Sequence, residues 1–160
     1  MFPSNNDLLN LELMSFFQAK NYDGALSRLL EATELFPDNQ IYPLNYALIS
    51  YNHKDDAESA RTYFLKTLEI DSNTLDAQYM LGVLLVEEAR AFSNEISKLH
   101  YSKKAQIAKF EEQANLKLKE ALPFFEKAYE IDPEDGLTIQ ALKEIYYRLD
   151  MQEEFKALNN

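Results

Sequence analysis

The stretch Lys119–Asp135, KEALPFFEKAYEIDPED, decides how this chain is read. Two other stretches repeat its shape: NYDGALSRLLEATELFPDN at 21–39 and LKTLEIDSNT at 65–74. Aligned on their ends, Ala25, Ala60 and Ala121 coincide, as do Leu29, Phe64 and Phe125, and then Ala32, Thr67 and Ala128. Upstream, Phe16, Tyr51, Leu85 and Tyr146 fall in the same register. Small residues at helical spacing let two helices approach closely, and the large ones beside them fill the gaps. Each unit therefore reads as two amphipathic helices. Asp or Asn near the closing proline is expected to cap the helix that follows.

Bulk composition agrees. The chain has 160 residues, 46% of them hydrophobic and 27% charged, enough for one domain with a real core. With only 3 Gly and 5 Pro it has few turns, which argues for long helices and against an all-β fold. No apolar run is long enough for a membrane span, so direct membrane insertion is not expected. No signal peptide is evident, and a soluble location, cytoplasmic or periplasmic after removal of a leader, is left open. There is no cysteine, hence no disulfide, thiol nucleophile or thiolate metal site. The net charge of −11 speaks against broad nucleic-acid binding, which needs a basic surface.

A unit of about 34 residues with this pattern resembles the tetratricopeptide repeat (TPR). The resemblance covers nearly the whole chain and is strongest in the stretches at 21–39 and 119–135. The family's tryptophan is absent, and its helix-packing glycine occurs once, as Gly82. The units read as 6–39, 41–74 and 75–135, with a partial closing repeat over 136–160 whose end is similar to the last unit of bacterial multi-repeat TPR proteins. What the resemblance implies is a single all-α solenoid of antiparallel helix pairs.

The third unit is too long. The closing residues Pro37, Ser72 and Pro133 are about 35 and then about 61 positions apart. The excess, about 88–114, contains neither Gly nor Pro and keeps helical spacing. It predicts that both helices of the third pair are lengthened into a projecting hairpin folded about Lys103. Leu99 would meet Ile107, Ile96 would meet Phe110, and Phe92 would meet Ala114. Its tip carries Lys98, Lys103, Lys104 and Lys109 with no acid between Ile96 and Phe110. Such a tip suits an acidic partner or anionic surface, or is simply a solvated turn.

No arrangement of residues suggests catalysis. The two histidines, His53 and His100, are far apart, and no zinc-protease, nucleophile-elbow, phosphate-loop or dinucleotide-loop motif occurs. Adjacent acidic pairs such as Glu87-Glu88 diverge on a helix and do not converge as an acid/base pair. Neither a metal nor a cofactor is expected.

In TPR proteins the concave face, lined by the first helix of each pair, typically binds a peptide or protein. Carried over by position, that face would present Asn10, Met14 and Phe17, then Asn45, Ile49, Asn52 and His53, then Tyr79, Val83 and Val86, although Met14, Ile49, Val83 and Val86 fit the core, and Asn10 and Asn45 plain surface, equally well. TPR domains that grip a chaperone's acidic C-terminus do so with a basic clamp. The matching places here hold Asn10, Met14, Tyr46, Asp76 and Met80, with no Lys or Arg, so that ligand class is not expected. The leading reading is a non-enzymatic adaptor that binds another protein through this face or through the hairpin. Its rival is a structural segment of a longer array, or a homodimer. The helix containing DLLNLELMSFFQAK motivates this rival, being apolar around nearly its whole circumference and suited to self-association.

Overall fold

The computed structural model describes residues 5–158, and side chains from residue 8 onward. Among the described residues there are eight helices and no strand: α1 (Asn5–Gln18), α2 (Tyr22–Leu35), α3 (Ile41–Lys54), α4 (Ala57–Ile70), α5 (Leu75–Ser97), α6 (Lys104–Ile131), α7 (Gly136–Arg148) and α8 (Gln152–Ala157). None of these helices is long and apolar enough to cross a membrane. The architecture is an all-α, TPR-type succession of antiparallel helix pairs. The chain divides after Thr74 into two compact units.

In the first unit α1 pairs with α2 and α3 with α4, and α2 packs on α3. The aligned small residues sit where helices press together: Ala25, Ala32, Ala60 and Thr67 are fully buried, as are Leu29 and Phe64. The core gathers Leu9, Leu13, Ala25, Leu29, Ala32, Tyr42 and Ile49. In the second unit α5, α6 and α7 share a core of Leu85, Ala89, Ala114, Leu118, Ala121, Phe125, Leu142, Ile145 and Tyr146.

A short turn closes each ordinary pair. Lys20, Asp55 and Asp150 each take a left-handed conformation, with φ of 53°, 53° and 58°. The next residue then sends its N–H back to a carbonyl in the last turn of the preceding helix: Asn21 to Phe16 (2.9 Å), Asp56 to Ser50 (3.0 Å) and Met151 to Tyr146 (2.8 Å). Such turns satisfy carbonyls that a helix end would leave bare. Asn21 and Asp56 then cap the following helix, accepting from Gly24 N and Ser59 N, both at 3.0 Å.

The expectation that residues around the closing prolines cap the next helix holds at Asp135, which accepts from Thr138 N at 2.9 Å. It does not hold at α3, whose N-cap is Gln40 with no side-chain bond, although Asn39 accepts from Ile41 N at 3.0 Å.

The third pair lacks the short turn, and its helices run on, to 23 residues in α5 and 28 in α6. Pro123 does not end α6. The register of the hairpin differs from the expected one: Phe110, expected to meet Ile96, stacks on Phe92, with ring centroids 6.2 Å apart. The helices stop at Ser97 and resume at Lys104, which puts the middle of the connection near His100 and Tyr101 and not at Lys103. His100 takes the place of a glycine or proline there. Its Nδ1 lies 2.9 Å from Ser102 Oγ and 3.3 Å from Ser102 N, and Lys103 N closes on His100 O at 2.9 Å.

The base of the arm also differs. Arg148, the last residue of α7, donates to Ser93 Oγ at 3.2 Å. Ala89 and Ala114 belong to the core with α7. Ala89, Ser93 and Ala114, all within the expected insert of 88–114, are therefore tied to α7 or its core.

Candidate functional site

The second unit carries a cleft of about 270 Å³ between α5 and α7, floored by α6. Tyr79, Val83 and Val86 come from α5, one or two turns apart on one face, with Glu87 and Arg90 continuing the row. Leu137, Gln140, Ala141 and Glu144 come from α7, and Leu118 and Phe125 rise from α6. The Tyr79 ring stands edge-on to Phe125, centroids 5.6 Å apart. Burial, reinforced by the charge of Asp135, raises the Tyr79 hydroxyl above its ordinary pKa, so it remains a neutral hydrogen-bonding group near pH 7.

The floor is apolar and the rim mixes Glu87, Arg90, Gln140 and Glu144. The volume falls below the roughly 300–1,000 Å³ of small-molecule sites. It suits one or two apolar side chains of a peptide, with the rim groups left to meet its backbone and polar residues.

Three of the positions expected on the concave face, Tyr79, Val83 and Val86, are thus brought together. Arg90, Leu137, Gln140 and Glu144 were missed. The signal was present: Leu137, Gln140 and Glu144 occupy, counted from Gly136, the places that Asp76, Tyr79 and Val83 occupy counted from Leu75.

In the first unit, Asn10, Met14 and Phe17 are exposed on α1, and Asn52 is exposed on α3. Ile49 is a correction: it is only 5% exposed and belongs to the core, because its face of α3 turns toward the buried cluster. The Asn45 amide donates to Ile41 O at 2.8 Å, so one of its donors is spent on its own helix. The His53 ring is stacked on Tyr22 at 3.8 Å, with the planes 9° apart.

A second concavity of the second unit lies where α6, α7 and α8 meet. Glu126, Tyr129, Glu130, Tyr146 and Glu154 line it, together with Leu142, Ala157 and Leu158. Tyr146 donates to Glu126 Oε1 at 3.1 Å, and burial followed by the charge of Glu126 pushes its phenol well up.

No protein-family model matches the chain, and no curated protein sequence matches it. Solved structures do. The first TPR of Spaghetti (RPAP3), bound to the HSP90 peptide SRMEEVD, is similar with a TM-score of 0.61 and 17% identity, over 89% of this chain and 91% of that one. The Arabidopsis OM64 TPR domain gives a TM-score of 0.61 and 18% identity, over 88% and 93%. The first TPR domain of human RPAP3 gives 0.59 and 17%, over 91% and 93%. At such identities the likeness establishes the fold, which is of the TPR type.

Proposed function

We propose that this chain, with its TPR-type fold, is a non-enzymatic adaptor that holds an apolar segment of another protein in the cleft between α5 and α7. The observation that carries this reading is the cleft itself, an apolar α5 wall of Tyr79, Val83 and Val86 over an α6 floor of Leu118 and Phe125, under a rim of mixed charge. Asn10, Met14 and Phe17 on α1, and Asn52 on α3, are exposed and available to the same class of ligand. The acidic peptide held by the RPAP3 domain is not carried over, because the positions expected to grip it hold Asn10, Met14, Tyr46, Asp76 and Met80.

The test is selection of binding peptides from a displayed library, followed by affinity measurement on variants. Val83→Glu and Leu137→Glu each put a carboxylate into the apolar cleft and are expected to weaken binding by more than about tenfold, the equivalent of about 1.4 kcal/mol. Selected peptides that bind both variants as tightly as the parent would remove the cleft from consideration.

A second reading, a structural segment of a longer array or a homodimer, is favoured by one observation. Leu8, Leu11 and Met14 are 47%, 60% and 56% exposed on α1. Leu11→Glu would then lower the sedimentation mass of an associating chain. A wild-type chain that is monomeric at high salt and high concentration speaks against the homodimer.

A further inference from the structure

We propose that the basic tip of the α5–α6 hairpin docks into the acidic concavity at the far end of α6 on a second copy of this chain. From 96 to 110 the chain has four lysines and no acid. Lys98 is paired with Glu95 at 2.5 Å, while Lys103, Lys104 and Lys109 form no ion pair among the described residues. Tyr101 stands at the apex, 78% exposed, with the His100 ring 4.3 Å away. The His100–Ser102 contacts hold this turn in one shape, so the lysines are presented from an ordered connection.

The concavity is the complement. Glu126, Glu130 and Glu154 line it beside Tyr129 and Tyr146, and no Lys or Arg does. Lys127 engages Glu130 at 3.0 Å, which leaves Glu126 and Glu154 as its uncompensated charges. An incoming ammonium meets carboxylates for charge-assisted hydrogen bonds and tyrosine faces for cation–π contact.

A chain cannot make this contact with itself. Lys104 begins α6 and Glu126 lies 22 residues further along the same helix, about 33 Å away at ~1.5 Å per residue. The contact therefore joins different copies. Because it uses two different surfaces, each addition leaves a free tip and a free concavity, and growth continues unless the geometry closes a ring. A nucleic acid or an anionic membrane fits less well. Three unpaired lysines are a small footprint for an extended polyanion, whereas the concavity of a second copy offers them carboxylates and tyrosine rings at close range.

The experiment is sedimentation velocity of the full chain across concentration. It is run near 0.1 M ionic strength, where a screening length of about 10 Å mutes the repulsion between two chains of net charge −11 but not pairs in contact, and near 1 M, where it is about 3 Å. The mass should rise with concentration at the lower salt and return to the 18.6 kDa monomer at high salt. Lys103→Gln/Lys104→Gln alter exposed side chains, Glu126→Gln/Glu154→Gln keep an oxygen at 126 to accept from Tyr146, and circular dichroism checks that both fold. Each alone should be monomeric. Mixed, they should form a dimer and stop there, since only one intact tip faces one intact concavity. A wild-type monomer at every concentration at the lower salt overturns the proposal. So does association that strengthens with salt, which would point to the apolar face of α1. Binding of an oligonucleotide or anionic vesicles through Lys103 and Lys104, without self-association, also overturns it.

Discussion

Phe125 lies against the bare backbone of Gly82: a Cβ at position 82 would come within 2.6 Å of the ring's Cε2 and 2.7 Å of Cζ. Phe125 is fully buried, so its ring has little room to yield. Ala in place of Gly inside a helix gains about 1 kcal/mol of propensity, while overpacking a core costs about 1–3 kcal/mol. Gly82→Ala is therefore expected to destabilise the chain by about 1 kcal/mol. A Cβ at position 24 would come within 2.6 Å of the half-buried Phe16 ring, which can swing aside, and within 2.9 Å of Asn21 Nδ2, which would disturb that residue's cap on Gly24 N, so Gly24→Ala should be mildly destabilising. Urea midpoints of the two variants, compared at equal slope, decide the matter.

Lys20 and Asp55 occupy left-handed positions that glycine takes without steric cost. Lys20→Gly should raise stability by about 0.5 kcal/mol, the relief of strain exceeding the extra freedom gained by the unfolded chain. Thermal unfolding would read this as a modest rise in Tm, and a fall would mean that Lys20 makes compensating contacts.

Asp135 accepts from Thr138 Oγ1 at 2.5 Å and from Thr138 N at 2.9 Å, and the hydroxyl bond, followed by the backbone one, holds its carboxyl below the usual range. A lowered folded-state pKa stabilises the fold above the unfolded value near 3.9, and the gain fades as pH falls through the folded value. At pH 7, Asp135→Ala should cost about 1 kcal/mol as a lost N-cap. The gap between wild type and variant should narrow below about pH 4. A gap independent of pH would show that the carboxylate's charge is immaterial to the cap.

Replacing 94–109 with a short Gly-containing linker should leave unit 2 folded, since Ala89, Ser93 and Ala114, which meet α7 or its core, are kept. Removing 88–114 should not, because it takes away Ala89 and Ala114 from the core together with Ser93, the partner of Arg148. Circular dichroism and unfolding cooperativity of the two deletions separate the cases; equal behaviour would contradict the placement of the arm's base.

The repeat was legible because its small positions are set by backbone proximity. Ala25, Ala60 and Ala121 can be read without knowing what surrounds them, and all three are fully buried. The double length of the third unit was legible for a similar reason: helical spacing without Gly or Pro leaves little else. The hairpin register was not, because the turn depends on an imidazole standing in for a turn residue, and a one-turn slip keeps apolar residues facing one another. Ile49 was misplaced because an apolar residue on a first helix fits core or groove equally well by spacing, and only the packing of α3 in unit 1 decides. The α7 side of the cleft went unread because the register linking Tyr146 to Phe16, Tyr51 and Leu85 was used for the core positions only and was not extended to Leu137, Gln140 and Glu144.

The short link at Lys98–Lys103 also bears on how unit 2 assembles. Joining two helices across six residues costs little chain entropy, and their contacts near the tip are local in sequence. The pair is therefore expected to zip from the apex toward Leu75 and Ile131 and to present a preformed surface to α7, whose Leu142, Ile145 and Tyr146 seat on it. Pulse-labelled hydrogen exchange during refolding should then protect the amides of α5 and α6 before those of α7. The terminal segment becomes a late joiner whose docking completes the cleft wall, so that competence to bind arises in the last step of folding.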